Sequence, residues 1–132
     1  HRVQLQWKHH WDERRRWRTT AKFGHEASLD NGPGYFDFQR WQASLEMGFT
    51  GTQWEARING RLAETDFPHQ PATAGSGSTI RQTNLSLNLR LERRLTKTVR
   101  CFLEIEWERS LANRPATGYA VNGLQTGVTA EF

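Results

Sequence analysis

Hydrophobic and polar residues alternate with a period of two along much of this chain. The alternation is strongest in four segments, residues 40–50, 53–63, 84–92 and 99–107. In the third segment every odd position from Leu85 to Leu91 is leucine, and every even position is polar. Because side chains of a β-strand alternate between two faces, each segment is predicted to be a strand with one apolar and one polar face.

Weaker alternation extends the pattern to both ends of the chain. It covers residues 3–11, 17–24 and 123–132, and in the last of these Leu124, Val128 and Phe132 share one phase. No segment shows the period of a helix. The predicted fold class is therefore all-β, an antiparallel up-and-down meander of about seven strands. Residues 1–132 are expected to form a single β-barrel domain.

The predicted connections alternate in length. Short ones fall at residues 12–16, 51–52 and 93–98, and longer ones, mostly rich in glycine and proline, fall at 29–35, 65–79 and 110–118. In a meander, this arrangement places the short turns at one end of the sheet and the long loops at the other. Transmembrane β-barrels have the same asymmetry.

One hairpin can be predicted in detail. The sequence Thr50-Gly51-Thr52-Gln53 places glycine first in a two-residue turn, which suits a type II′ turn. Its register sets Phe49 opposite Trp54 and Glu46 opposite Arg57. A turn at Asn59-Gly60 is the alternative and would give shorter strands.

Composition restricts how this sheet can meet a membrane. The chain has 132 residues, 36% of them hydrophobic, and a mean hydropathy of −0.80. No stretch approaches the roughly 18 apolar residues of a transmembrane helix. A transmembrane strand needs only about 9–11 residues, half of which face a wet interior, so low hydropathy is compatible with a barrel. The single Cys101 excludes an intramolecular disulfide and is expected to be an apolar-face residue, not a nucleophile.

Two orientations of the sheet fit this pattern. The apolar face carries no charge in the strong strands, as lipid requires, because an arginine or lysine at mid-bilayer costs about 2–4 kcal/mol. We therefore interpret the polar face as a charged lumen. Its predicted lining is Arg18, Lys22, Glu46, Glu55, Arg57, Arg61, Arg90, Arg100, Glu104 and Glu106. The alternative is a soluble β-barrel that binds an apolar ligand inside.

Aromatic residues lie near both ends of the predicted strands, as in the belts of membrane proteins. The chain has six Trp, seven Phe and two Tyr. The interface aromatics predicted at the short-turn end are Trp11, Trp17, Phe49, Trp54 and Phe132, and those toward the long loops are Trp41, Trp107 and Tyr119.

The charges indicate ion pairs more than a phosphate-binding surface. The 18 basic and 14 acidic residues are interleaved, for a net charge of +4. No nucleic-acid partner is expected. The basic runs at residues 14–16 and 93–94 fall at predicted short turns, where they would lie beside lipid headgroups.

The strand count suggests that partner strands are missing. Single-chain bacterial barrels have an even number of strands and no open edge. Seven strands are therefore expected to be the C-terminal fragment of a larger barrel, paired with upstream strands of the same chain.

The second half of the chain resembles bacterial porin-like outer-membrane barrels. The resemblance rests on Tyr35-Phe36-Asp37-Phe38, the leucine strand, residues 104–108, Ser110-Leu111-Ala112-Asn113 and the closing strand that ends at Phe132. It implies a place in the bacterial outer membrane, contact with the lipid bilayer, and insertion by the barrel assembly machinery, with the C-terminal strand as the signal. Ala130 stands where an aromatic residue often precedes the last Phe.

No catalytic residue, cofactor or metal site is predicted. His25 and Ser28 are only loosely similar to the His-x-Ser of lipid hydrolases, because they are three positions apart and would face opposite ways on a strand. Glu104, Glu106 and Glu108 are spaced by about 7 Å along a strand, too far apart to share a metal unaided. The expected function is a porin-like channel or structural barrel and not an enzyme; a barrel-borne lipid hydrolase stays an alternative.

Overall fold

The computed structural model describes residues 1–30, 32, 34, 36–73, 77–114 and 118–130. These residues form seven β-strands. The strands are β1 (Arg2–His10), β2 (Trp17–Ser28), β3 (Phe38–Thr50), β4 (Trp54–Pro71), β5 (Thr79–Arg94), β6 (Val99–Ala112) and β7 (Tyr119–Ala130).

The strands form one antiparallel sheet in chain order, with each strand hydrogen-bonded to the next. This confirms the predicted all-β meander. Within the described ranges, β1 pairs only with β2 and β7 pairs only with β6, so each leaves one backbone edge unpaired. The described residues contain no helix that is long and apolar enough to cross a membrane.

Connections at the two ends of the sheet differ in length, but less than predicted. One end has residues 11–16, 51–53 and 95–98, and the other has 29–37, 72–78 and 113–118. The predicted loop at 65–79 is too long, because β4 continues to Pro71. Asp66 pairs with Arg81 and Phe67 with Ile80, and a register irregularity then spans the region of Pro68. Proline, which cannot donate to the ladder, is tolerated at such an irregularity.

The predicted hairpin between β3 and β4 is wrong by two residues. Thr50 pairs with Glu55, and the Gly51 amide donates to the Trp54 carbonyl over 2.8 Å. Thr52 and Gln53 therefore occupy the centre of the turn. Gly51 does not adopt the positive φ of a type II′ turn; among the described residues only Arg15 and Gly34 have positive φ.

The observed register changes the partners but keeps each side chain on its face. Phe49 lies opposite Ala56, Glu46 lies opposite Asn59, and Arg57 lies opposite Gly48. A shift of two residues preserves the alternation, whereas a shift of one would exchange the faces. The alternative turn is also wrong, since Asn59 and Gly60 lie inside β4.

The described sheet has almost no buried apolar core. The buried hydrophobic residues of the described part of the chain are Ala63 and Ile80 in the strands and Ala72 in the connection after β4. The large aliphatic side chains are exposed instead; Leu45, for example, is 51% exposed. Backbone hydrogen bonds between neighbouring strands therefore hold this sheet together more than side-chain packing does.

The turn between β1 and β2 is organised by Asp12. Its carboxylate accepts hydrogen bonds from the Trp17 amide over 2.9 Å and from Arg16 Nε over 3.1 Å. The Trp17 hydrogen bond is the main cause of a lowered Asp12 pKa, with Arg16 adding to it. Arg15, at φ 54°, completes the reversal of the chain.

Acidification is expected to loosen this turn. A carboxylate with a lowered pKa stabilises the fold above its ordinary value of 3.8, and this contribution is lost as the pH falls through the lowered pKa. The protection factor of the Trp17 amide, which is its exchange rate relative to the intrinsic rate at the same pH, should therefore fall in that acidic range. In Asp12→Asn, which keeps an acceptor without the charge, the protection factor should lose this titration. A protection factor that still titrates in Asp12→Asn would contradict the assignment.

Two strand glycines offer a matched test of packing. A Cβ at Gly127 would lie 2.7 Å from the ring of Phe102, whereas a Cβ at Gly60 would meet nothing within 4 Å. Gly127→Ala is expected to destabilise the protein by about 1–2 kcal/mol, because the Phe102 ring must move. Gly60→Ala should be neutral or slightly stabilising. Thermal unfolding of both variants checks this, and equal effects would contradict it.

Candidate functional site: the charged face of the sheet

The register divides the side chains of the sheet into two faces. The apolar face carries the odd-numbered residues of β1, β2, β3, β5 and β6 and the even-numbered residues of β4 and β7. The polar face carries the others. Pairs such as Met47 with Ile58 and Leu89 with Ile105 lie on the apolar face.

An uncharged band crosses the apolar face. On β4 it runs from Trp54 to Leu62, and on β5 it comprises Leu85, Leu87, Leu89 and Leu91. Charged residues of this face lie only at the two ends of the band or beyond them. Arg93 pairs with Trp54 at the short-turn end, and Arg109 pairs with Leu85 at the other end, where Glu64, Asp66 and Arg81 lie farther out. The face therefore has an apolar centre between two charged margins.

All six tryptophans belong to this face. Trp7, Trp17, Trp41, Trp54 and Trp107 occupy its strand positions. Trp11, in the first turn, donates from Nε1 to the hydroxyl of Thr19 over 2.8 Å and so leans over the same side. No tryptophan of the described residues lies on the charged face. The apolar face is therefore the one whose surroundings suit large amphipathic rings.

Aromatic and cationic groups meet at the margins of the band. The rings of Trp17 and Phe49 lie 4.8 Å apart, and the guanidinium of Arg93 lies 5.1 Å from the centre of the Trp54 ring. Near the other margin, Trp41 contacts both Phe23 and His25.

Two of the predicted interface aromatics differ from the rest. Tyr119 lies opposite Ser110 on the polar face, where its hydroxyl donates to Glu108. It therefore does not belong with Trp107, which lies opposite Leu87 on the apolar face. Phe132 lies outside the described residues.

All ten charged residues predicted to line one surface do share the polar face. They are Arg18, Lys22, Glu46, Glu55, Arg57, Arg61, Arg90, Arg100, Glu104 and Glu106. The register brings them together from five strands, β2 to β6.

Arg90 is the centre of the strongest ion-pair network on this face. Its Nε lies 2.6 Å from Glu92, and its Nη1 lies 2.7 Å from Glu104. Asn88 also donates to Glu104 over 2.7 Å. The Arg90 guanidinium stacks 4.5 Å above the ring of Phe102, which in turn lies over Gly127. Arg90 thus joins β5, β6 and β7.

Other charges are paired across neighbouring or next-nearest strands. Arg18 of β2 lies 2.7 Å from Glu46 of β3, and Arg61 donates to Gln42 over 2.9 Å. Arg100 of β6 approaches Glu55 of β4 to 3.9 Å, which spans the intervening strand β5.

Two carboxylates of the polar face are covered more than the leucines of the apolar face. The side chains of Glu104 and Glu92 are 16% and 22% exposed. On the other face, Leu45 and Leu62 are 51% and 45% exposed. A sheet that stood alone in water would be expected to show the opposite bias.

The residues considered for chemistry do not assemble into a reactive centre. His25 lies on the apolar face against Trp41, with ring centres 4.1 Å apart, whereas Ser28 belongs to the polar phase of β2. In the described part of the chain, no group of three or more His, Cys, Asp or Glu side chains is placed to hold a metal ion. Cys101 lies on the apolar face, with its sulfur 3.6 Å from the Arg93 carbonyl.

Comparison with protein-family models, with curated proteins and with solved structures finds no match to this chain.

A double-mutant cycle can test the Arg90 network. The Arg90–Glu104 pair, whose side chains are 33% and 16% exposed, is expected to show a coupling free energy of about 1 kcal/mol. The matched control is Arg81–Glu64, 63% and 46% exposed at 3.4 Å, where solvent screening should leave no measurable coupling. Unfolding of the single and double glutamine variants gives both values. Equal coupling in the two pairs would contradict the network.

Proposed function

We propose that this sheet is part of the wall of a bacterial outer-membrane β-barrel. In this proposal the apolar face contacts lipid and the polar face lines an aqueous lumen, so that the protein acts as a porin-like channel or structural barrel. The observation that carries the proposal is the uncharged band of exposed leucine, isoleucine and tryptophan side chains, bounded on both sides by charge.

The dimensions of the band support this orientation. From Trp54 to Leu62 is eight residues, which is about 26 Å along a strand. A strand tilt of about 40° reduces this to roughly 20 Å, close to the apolar height of roughly 25 Å in outer-membrane barrels. The contact of Arg93 with Trp54 at one margin fits an interface where aromatic rings and cations meet headgroups.

The polar face also supports the orientation with lipid outside and water in the lumen. Its ion pairs and side-chain amide contacts satisfy most of the charges without a covering layer. Water in a lumen would hydrate the remaining polar atoms, whereas lipid could not.

Unpaired edges require further strands. β1 and β7 each have one free edge within the described residues, and a free strand edge is not stable in hydrocarbon. The proposal therefore includes additional strands, upstream in the same chain, that close the barrel. Insertion would then depend on the outer-membrane barrel assembly machinery.

Quenching of tryptophan fluorescence tests the orientation. Because all six tryptophans share the apolar face, vesicles with brominated acyl chains should strongly quench the fluorescence of the full chain. Aqueous iodide should quench it weakly. Single-tryptophan variants refine the test: Trp54, opposite Arg93, and Trp107, two positions from Arg109, should both be quenched best by bromines near the headgroups.

The opposite pattern would overturn the proposal. Quenching by iodide without quenching by brominated lipid would place the tryptophans in water. Protection from both would place them in a closed apolar interior, as in a soluble barrel that carries an apolar ligand.

A further inference from the structure

One row of positions on the polar face is unusually rich in arginine. Arg18 of β2, Gly48 of β3, Arg57 of β4 and Arg90 of β5 lie directly opposite one another on successive strands. Neighbouring strands are about 4.8 Å apart, so the row spans about 15 Å. We call these four positions the arginine row.

Arg57 is the uncompensated charge of this row. It lies directly opposite Arg90, an arrangement that is unfavourable for like charges. Arg90 is neutralised by Glu92 and Glu104. Glu55, two positions from Arg57 on the same face, is instead the acid that Arg100 approaches. The side chain of Arg57 has no hydrogen bond or ion pair with any residue that the structure describes.

Arg18 lies in the same row. Its Nη2 lies 2.7 Å from Glu46, and its Nε is buried without a partner among the described residues. The side chain as a whole is 40% exposed, so a ligand in solution would reach the outer edge of the guanidinium and not Nε.

Gly48 leaves backbone uncovered by a side chain between these two arginines. A Cβ at this position would lie 3.8 Å from Arg18 Nη2 and 3.9 Å from the Ala56 carbonyl, with nothing closer. The floor of the surface depression here is therefore backbone. Its walls include five arginines, Arg15, Arg16, Arg18, Arg57 and Arg90.

Two carboxylates also border the depression, Glu55 and Glu92. Each is directed toward an arginine: Glu92 pairs with Arg90 over 2.6 Å, and Glu55 approaches Arg100 at 3.9 Å. Three further carboxylates neutralise arginines of the depression: Asp12 pairs with Arg16, Glu46 with Arg18 and Glu104 with Arg90. Arg15 and Arg57 are left without a carboxylate partner among the described residues, and their charge favours an anionic ligand.

We infer that the arginine row binds an oxyanion above Gly48, between Arg18 and Arg57. A guanidinium presents two parallel N–H donors that match two oxygens of a phosphate or carboxylate group. The bound anion would accept hydrogen bonds from the exposed guanidinium of Arg57 and from the exposed edge of Arg18, and would offset the repulsion between Arg57 and Arg90. The inference rests on the proposed function, in which the polar face lines an aqueous lumen. The anion would then be part of a solute in that lumen.

The test is a calorimetric titration of inorganic phosphate into the full chain, folded in a detergent that contains no phosphate. This choice removes lipid headgroups as a source of the anion. Wild type should bind phosphate saturably, and Arg57→Gln should bind at least about tenfold more weakly, because charge-assisted hydrogen bonds are lost.

Lys22→Gln is the matched control. Lys22 lies on the polar face of β2, four residues from Arg18, and also has no ion pair with a described residue. The substitution removes the same charge but no donor of the arginine row, so phosphate affinity should change by no more than about twofold. Equal weakening in both variants would indicate only long-range attraction and would overturn the site.

Two further measurements distinguish loss of the anion site from misfolding and from failure of the barrel proposal. Thermal unfolding without phosphate should show Arg57→Gln at least as stable as wild type, which excludes misfolding as the cause of lost binding. Absence of phosphate binding in a wild-type protein whose tryptophans are quenched by brominated lipid would overturn the site but not the barrel. Saturable binding without that quenching would overturn the barrel orientation and leave the anion site in place.

Discussion

The structure depends on the backbone hydrogen bonds between neighbouring strands. These bonds decide which residues of each strand, odd-numbered or even-numbered, share a face of the sheet. Side chains contribute little packing, since the buried apolar residues of the described strands are two, Ala63 and Ile80. The ladder instead fixes which side chains share a face, and a shift of one residue in any pairing would bring arginine or glutamate among the leucines. The separation of apolar and charged faces is therefore a property of register, repeated across all six pairings.

The face on which a residue lies can be predicted from the sequence, but its partner on the neighbouring strand cannot. The period-two pattern identifies seven strands and both faces, because alternation depends only on the order of residues. The partner of each residue depends on the turn, and there Gly51 is misleading. Glycine at a turn suggests positive φ, yet Gly51 forms the first corner of a turn centred on Thr52 and Gln53.

Other differences between the predicted and the observed structure also concern single residues. Pro68 and Pro71 predict a loop, but β4 accommodates them at a register irregularity and at its end. The aromatic ring of Tyr119 suggests the apolar face, yet the pairing of β6 with β7 puts it beside Glu108. The arginine row cannot be found from the sequence, because its four positions become neighbours only when three registers are known.

The polar face is not uniformly mixed in charge. Glu104, Glu106 and Glu108 are concentrated on β6, while Arg18 and Lys22 lie on β2 and Arg57 and Arg61 lie on β4. Distance alone does not decide which arginine is neutralised, because Glu55 lies on the same strand as Arg57 and Glu46 lies on the adjacent one. Glu46 pairs with Arg18, and Glu55 is directed toward Arg100. The charge of Arg57 is therefore unmet in the described part of the sheet because both nearby carboxylates are engaged by other arginines.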